Sequence, residues 1–314
     1  MHVCSRIVVA LCIQANMGHT RRARVFLNIR SGIGGVSPET LCKRFALYGC
    51  SCDVTVLEPR LDLTTLAGRD APEIVWVAAG GDGTVNCVAN AIAGTPRVMG
   101  VLPVGTLNHF ALDLGIPPAL DEAIAVIATG PTRTVDAAEV NGIHFVNNSS
   151  LGVYPAMVLD RDRMRKGGAN KWWSLVAASA RAFFRFRCLA VELEVDGSVR
   201  HYTTPLLFVG NNIYCIEGGR LGRRERMDEG VLFLALVPST TRLSMLRLLA
   251  SALVGRAREA SELEEFVVKT FTVTSTHRRV RVSFDGEAGR MRPPLRYTSR
   301  PGALHVIVPA EKPL

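Results

Sequence analysis

The 314-residue sequence has no Cys-x-x-Cys pair, no finger-like Cys/His spacing and no internal repeat. Its eight cysteines fall at 4, 12, 42, 50, 52, 87, 188 and 215. Without paired spacing they speak against a zinc site or a disulfide framework. They read as reduced thiols of a cytoplasmic protein, with Cys87 and Cys188 inside apolar stretches that look like element interiors. Aromatic residues make up only 6%, which argues against a stacking platform for single-stranded nucleic acid. No segment reaches the roughly 18 uninterrupted apolar residues that a membrane-spanning helix requires. The apolar run 7–13 behind Arg6 is broken by Gln14 and Asn16 and lacks a small-residue cleavage site. It is therefore not read as a signal peptide, and residues 1–21 are expected to be poorly structured.

What is present is apolar material and positive charge. Hydrophobic residues account for 48% and charged residues for 21%, enough for true cores and too apolar for wholesale disorder. Lys+Arg 37 against Asp+Glu 28 leaves a net charge of +9. That surplus favours an anionic partner: phosphate, an acidic membrane face or nucleic acid. Charge alone carries the nucleic-acid reading, so nucleic acid is not expected as a partner.

From residue 24 onward, strand and helix alternate. Val25-Phe26-Leu27-Asn28 reads as a strand running into the glycine-rich turn Ser31-Gly32-Ile33-Gly34-Gly35, and Pro38 then opens a helix that Gly49 ends. Residues 53–57 form the next strand. The run 74–79 is continuously apolar, as in a strand buried on both faces of a parallel sheet. It leads into Gly80-Gly81-Asp82-Gly83-Thr84 and a helix over 85–93. A strand over 98–102 follows, closed by Pro103-Val104-Gly105-Thr106. This pace predicts an α/β layered domain. Beyond a boundary near 134, strand-like runs at 143–147, 188–195, 203–209, 231–237, 267–274 and 279–284 predict mostly antiparallel β structure. Helical stretches near 170–185 and 240–253 interrupt it.

The strongest chemical signal is Gly80-Gly81-Asp82-Gly83-Thr84 at the end of a buried strand. Glycines let backbone N–H groups approach a bulky anion, and the following helix adds the positive end of its dipole. Thr84 and Asn86 can add side-chain hydrogen bonds. Asp82 would repel phosphate unless it holds a metal, a ribose hydroxyl or a protonated nucleophile; the plainer reading is a helix cap. Neither a P-loop nor a Gly-x-Gly-x-x-Gly fingerprint is present. Loops 28–35, 80–84 and 103–108 share small residues after three strands. In a doubly wound sheet such loops converge on one crevice, making a composite phosphate site.

Asn28-Ile29-Arg30-Ser31-Gly32, the Gly80–Thr84 block and Leu102-Pro103-Val104-Gly105-Thr106-Leu107-Asn108 together resemble the diacylglycerol kinase catalytic-domain family. The order continues through Val135-Asp136, Asn147-Asn148-Ser149-Ser150-Leu151-Gly152, Gly210-Asn211-Asn212, Asp228-Glu229-Gly230 and Asp285-Gly286-Glu287. The resemblance implies two domains, α/β plus β. The first is a doubly wound α/β nucleotide-binding domain over 22–134 with a returning segment near 300–312. The second is a β-sandwich lipid domain over 135–299, with the active site in the cleft between them. It implies ATP and Mg²⁺ as cofactors, a diacylglycerol-like lipid as acceptor and a peripheral, anionic membrane surface as the workplace. A second copy of the chain is admitted as a partner.

By position, the resemblance assigns ATP contacts to Asn28, Ile29, Arg30, Ser31 and Gly32, and to Gly80, Gly81, Asp82, Gly83, Thr84, Val85, Asn86 and Cys87. Gly105, Thr106 and Asn108 complete that set. Glu287 matches the family's proton acceptor, with Asp285 and Asp82 as further catalytic carboxylates. Asp285-Gly286 equally suits a hairpin turn. The stretch holding Arg226, Asp228, Glu229 and Val231 matches a family magnesium site, though Glu229 stands where Asp is usual. Asp136 is a second carboxylate for the metal, or a cap. Cys87 replaces an acidic residue, and His109 stands where many members have Asp. Arg161, Arg163, Arg165 and Lys166, with Trp172, Trp173, Phe183, Phe184 and Phe186 nearby, suit either a membrane-adsorbing face or an ordinary helix with a solvated basic side.

Two rivals remain: the same chemistry on a sphingoid base, phosphatidylglycerol or a non-lipid alcohol, and a nucleotide-binding regulator without turnover. NAD kinases and phosphofructokinases share a Gly-Gly-Asp-Gly motif. The β-rich half and its terminal Asp-Gly-Glu are read against both.

Overall fold

The computed structural model describes residues 21–29, 37–58, 61–152, 188–195, 197–215, 222–236, 238 and 263–310. The expected helices near 170–185 and 240–253, the loop arm 30–35, the cation–aromatic stretch 161–187 and the N-terminal residues 1–20 lie outside them. Arg21 is described, and it is anchored: its guanidinium donates to the carbonyls of Ile127 (2.7 Å) and Gly130 (2.9 Å). The chain divides into two compact units, Met1–Thr134 with Leu304–Leu314, and Val135–Ala303.

The first unit is built on four parallel strands, β1 (Arg22–Leu27), β2 (Ser51–Val56), β3 (Val75–Gly80) and β4 (Val98–Pro103), in the spatial order β2-β1-β3-β4. Five described helices accompany them: α1 (Pro38–Leu47), α2 (Leu63–Arg69), α3 (Asp82–Ile92), α4 (His109–Asp113) and α5 (Leu120–Thr129). Strand order reverses between β1 and β3, the position where a doubly wound sheet opens a crevice. Every residue of β3 is buried. Trp76 on β3 packs at 4.5 Å from the ring of Phe26. Its indole N–H reaches Asp70 at 2.9 Å, and Arg97 lies over its face while donating to the carbonyls of Ala67, Asp70 and Ala71 at the end of α2. Helix α2 was not expected from the pattern; its start is marked by Asp62, whose carboxylate accepts the Thr65 N–H at 3.1 Å.

Two expectations need correction here. The helix after the glycine motif starts at Asp82, not at residue 85. Gly81, extended at φ −89°, serves as N-cap, so the motif forms the first helical turn and not a loop ahead of it. Cys87 is exposed, not an element interior, because it falls on the outer side of α3 while Val85, Val88, Ala89 and Ile92 face inward.

The second unit is a sandwich of antiparallel strands. One sheet has the order β12-β11-β10-β7-β14-β15, formed by Glu264–Val268, Leu232–Leu236, Leu206–Asn211, Asn148–Gly152, Val280–Phe284 and Glu287–Met291 respectively. Facing it, β13 (Thr270–Thr274) pairs with β8 (Leu189–Val195) and with β16 (Leu295–Ile307). There β8 also pairs with β9 (Ser198–Thr204), and β5 (Thr132–Val140) pairs with β6 (Ile143–Phe145). Leu151, Leu207, Val209, Leu234 and Val282 from one layer and Val191, Leu193, Phe271, Val273 and Tyr297 from the other share one core. Phe271 and Tyr297 stack at 4.7 Å.

Two runs expected to be single strands, 203–209 and 267–274, are each two. Chain leaves one layer at Thr204 and enters the other at Leu206; it switches again between Val268 and Thr270. Such corners preserve alternation on both sides, so the periodicity alone cannot reveal them. The end of β16 returns to the first unit, where His305 and Val306 pair in parallel with Val98 and Met99.

Candidate active site

The described loop ends after β1, β3 and β4 meet. The Asn28 amide Nδ2 donates to Thr84 Oγ1 at 3.1 Å, tying the end of β1 to the first turn of α3. Asp82 Oδ1 accepts the Phe110 N–H at 3.3 Å, tying that turn to α4. The strand-end glycines are in close contact: a Cβ on Gly105 would lie 2.3 Å from Gly81 Cα, and one on Gly80 would strike the Thr84 side chain at 2.1 Å. Glycine is therefore required at 80 and 105 by packing, before any ligand is considered.

This packing surrounds the half-buried N-terminus of α3. Its cap, Gly81, has no side-chain acceptor, while Thr84 N–H returns to the Gly81 carbonyl at 2.9 Å. An 11-residue helix with a glycine cap presents N–H groups and a positive dipole end to an anion. The side chains play a different part from the one expected. Thr84 (4% exposed) and Asn86 (8% exposed) are buried; Asn86 accepts from Asn90, and Thr84 bonds Asn28. Asn108, in the left-handed region at φ 53°, uses its amide to staple its own loop through Gly105 N (3.0 Å) and the carbonyls of Pro103 and Gly105. Thr106 and His109 are exposed. Ile29 is 66% exposed at the end of β1, and Val85 is buried. Arg30, Ser31 and Gly32 lie outside the described residues.

In the second unit, Asp285 and Gly286 form the two-residue turn between β14 and β15, both at positive φ (46° and 84°). Asp285 is buried, and both its oxygens are engaged: Oδ2 accepts Val146 N–H at 2.8 Å, and Oδ1 accepts those of Asn147 (2.8 Å) and Asn148 (2.9 Å). Burial pushes its carboxyl up from 3.8 to about 6, against the pull of those N–H groups and of Arg224. Glu287, two residues on, is exposed at the start of β15. Within one Asp-Gly-Glu turn, one carboxylate clamps the backbone and the other is exposed.

Arg224 went unnoticed in the sequence, where it sits in a run of arginines. It is 5% exposed and donates to Val146 O (2.6 Å), Asn211 O (3.2 Å) and Asn147 Oδ1 (2.8 Å), with its guanidinium 5.4 Å from the Tyr214 ring. Asp136 is equally committed, accepting Gly230 N–H on one oxygen (2.7 Å) and Gly302 N–H on the other (2.8 Å).

The stretch expected to hold Mg²⁺ was tested on its donors. Asp228 pairs with Arg226 at 3.0 Å, and Glu229 Oε2 takes the Ile213 N–H at 3.1 Å. The Val231 carbonyl accepts from Asn212. Asp136 is held by backbone N–H groups as well, so each of these groups already has a protein partner. Among the described residues no cluster of three or more His, Cys, Asp or Glu could hold a metal.

A doubly wound sheet with a glycine-capped helix at its switch point, followed by a β-sandwich, defines a class of two-domain phosphotransferases. The profile described as diacylglycerol kinase catalytic domain matches residues 22–140, and that of the YegS C-terminal NAD kinase beta sandwich-like domain matches 157–308. The chain belongs to this diacylglycerol and lipid kinase family, whose acceptor is an alcohol. It is 30% identical to a probable lipid kinase YegS-like protein of Pseudomonas syringae, over 76% of this chain and 77% of that one. It is 27% identical to a diacylglycerol kinase of Bacillus subtilis, over 75% and 78%. A match at 31% identity to a Pectobacterium atrosepticum relative spans 52% of this chain and 56% of that relative's length.

The crystal structure of a putative diacylglycerol kinase from Bacillus anthracis superposes with a TM-score of 0.70 at 21% identity, covering 92% of this chain and 97% of that one. Yeast NADH kinase matches the fold with a TM-score of 0.51 over 93% and 84%. The β-rich half therefore does not separate this chain from NAD kinases, contrary to the sequence expectation, because both groups carry the same kind of sandwich.

Proposed function

We propose that this chain transfers the γ-phosphoryl group of ATP to a hydroxyl of a diacylglycerol-like lipid at a membrane surface. The observation that carries the proposal is the convergence of three small-residue loop ends on the glycine-capped N-terminus of α3 at the sheet's switch point. That arrangement suits the triphosphate, with Asn28, Gly81 to Cys87 and Gly105 to Asn108 shaping its seat. The acceptor oxygen forms its bond to the γ-phosphorus while the bond to the bridging oxygen breaks and ADP leaves. Glu287, exposed and carried on the β14–β15 hairpin, takes the hydroxyl proton. Mg²⁺ is assigned to the nucleotide as its counter-ion, and no step is placed on a protein-built metal site.

No described helix is long and apolar enough to cross a membrane, and the proposal places the enzyme on the membrane face of the cytoplasm. The test is phosphoryl transfer from labelled ATP to a panel of lipids in mixed micelles, with Asp82→Ala alongside. Label in one lipid class, lost in the variant, supports the reading. ATP binding without any labelled lipid overturns it in favour of a non-lipid acceptor or a nucleotide sensor.

A further inference from the structure

The surplus of positive charge has a described location that the phosphate seat does not use. Arg278, Arg279, Arg281, Arg290 and Arg292 are all exposed and lie at the open end of the β14–β15 hairpin. Arg281 and Arg290 are directly opposite one another in the ladder, on the face away from the core, since Val280, Val282 and Phe284 point into it. Like charges facing each other across a two-strand ladder destabilise it. Among the described residues no acidic side chain compensates: none of the five makes an ion pair or side-chain hydrogen bond with a described residue. The acidic groups of the hairpin are at its other end, where Asp285 is buried and Glu287 stands on the opposite face. Glu287 is three residues from Arg290, about 10 Å at ~3.4 Å per residue.

The remaining geometry gives the cluster a direction. β15 is the edge of its sheet, and the far edge, β12, carries Glu264 and Glu265 instead. All five cations are arginine, whose planar fork matches phosphate oxygens bidentately. Arg281 and Arg290, side by side, can close two forks on phosphates of one surface.

We infer that the arginine end of the β14–β15 hairpin is the docking surface by which this protein engages the phosphate headgroups of an anionic bilayer. The inference rests on the lipid-kinase reading for its choice of partner, and it deepens that reading by naming the surface. Docking there relieves the Arg281–Arg290 repulsion. It also brings the turn that carries Glu287 to within one hairpin length of the bilayer.

The experiment is co-sedimentation of the full chain with vesicles of phosphatidylcholine alone and of phosphatidylcholine with phosphatidylglycerol. An arginine near an anionic surface contributes about five-fold in partitioning, equivalent to about 1 kcal/mol. Arg281→Glu/Arg290→Glu is therefore expected to lower binding to the phosphatidylglycerol vesicles by at least about 25-fold. The same charge change at exposed residues of the first unit, Arg22→Glu/Arg69→Glu, should cost less than about five-fold. Arg278→Glu/Arg279→Glu, in the turn before β14, supplies a second test should the ladder pair fail to fold by circular dichroism.

Equal losses in both pairs, or retained binding in the hairpin variant, overturn the inference. So does a hairpin variant that loses duplex DNA binding, or salt-sensitive self-association against the Glu264–Glu265 edge, while vesicle binding persists. Turnover on soluble dihexanoylglycerol is followed in parallel and should survive the hairpin substitutions. Wild-type protein that binds these vesicles yet phosphorylates no acylglycerol would count against the kinase reading and leave the surface standing.

Discussion

The two units treat backbone N–H groups in opposite ways. At the start of α3 the cap is glycine, which offers the first turn no side-chain acceptor of its own. In the sandwich, the N–H groups of Val146, Asn147, Asn148, Gly230 and Gly302 are each taken by a buried carboxylate of Asp285 or Asp136. A helix start capped by glycine suits an incoming anion; donors saturated by carboxylates make a scaffold. The contrast also divides the acidic residues. Asp136 and Asp285 are anchors, and Glu287 is the exposed carboxylate that the Asp285 turn holds out.

That division can be broken most sharply at the Asp-Gly-Glu turn. Glu287→Gln should lower lipid phosphorylation by roughly 10²- to 10⁴-fold while leaving the melting temperature and ATP binding unchanged. A variant that melts early would place Glu287 with the scaffold. Arg224→Met should act in the opposite manner, costing about 4 kcal/mol in urea unfolding, because it leaves buried carbonyls and Asp285 without their cation. A loss under 1 kcal/mol would mean that the knot is not a unit.

Asp285→Asn sharpens the comparison through pH. The folded state keeps a proton on Asp285 between 3.8 and about 6 that the unfolded chain has released. Stability from this group is therefore complete below about pH 4 and is lost, to the extent of about 3 kcal/mol, as pH rises through 6. The variant has nothing to titrate. The margin of wild type over variant should be widest near pH 4 and narrowest near neutrality, read from denaturation at both; a margin that grows with pH would refute the assignment.

In the first unit, Gly105→Ala should cost about 2 kcal/mol and weaken nucleotide binding, because the added methyl meets Gly81. An unchanged nucleotide affinity would show that the loop contact is independent of the seat. Asn28→Ala, which removes the tie to Thr84, should cost about 1 kcal/mol in denaturation and is the smallest stability effect expected.

How far the sequence could be read differs between the units for the same reason. The run 74–79 and the Gly80–Thr84 block reveal β3 and the start of α3 because apolar continuity and glycine clustering are local properties. The corners at Pro205 and Lys269 were hidden because a strand that changes layers keeps its alternation. Helix α2 was overlooked although Asp62 marks its start, since a seven-residue helix shows too little periodicity. Asp285 could be placed in a hairpin turn from Asp-Gly alone, but nothing nearby in sequence showed that its carboxylate reaches residues 146–148.

By itself, the sequence determined the alternation of strand and helix in the first unit, the glycines at the strand ends and the family the chain joins, all of which are written in short contiguous motifs. Tertiary structure decided which of Asp82, Asp136, Asp285 and Glu287 stay available for chemistry, and that Arg224 is a buried bridge while its neighbour Arg226 is a surface pair. Those distinctions depend on burial and on partners 77 to 166 residues away along the chain. A carboxylate's role follows from what desolvates it and what donates to it, and both arrive only when distant strands meet.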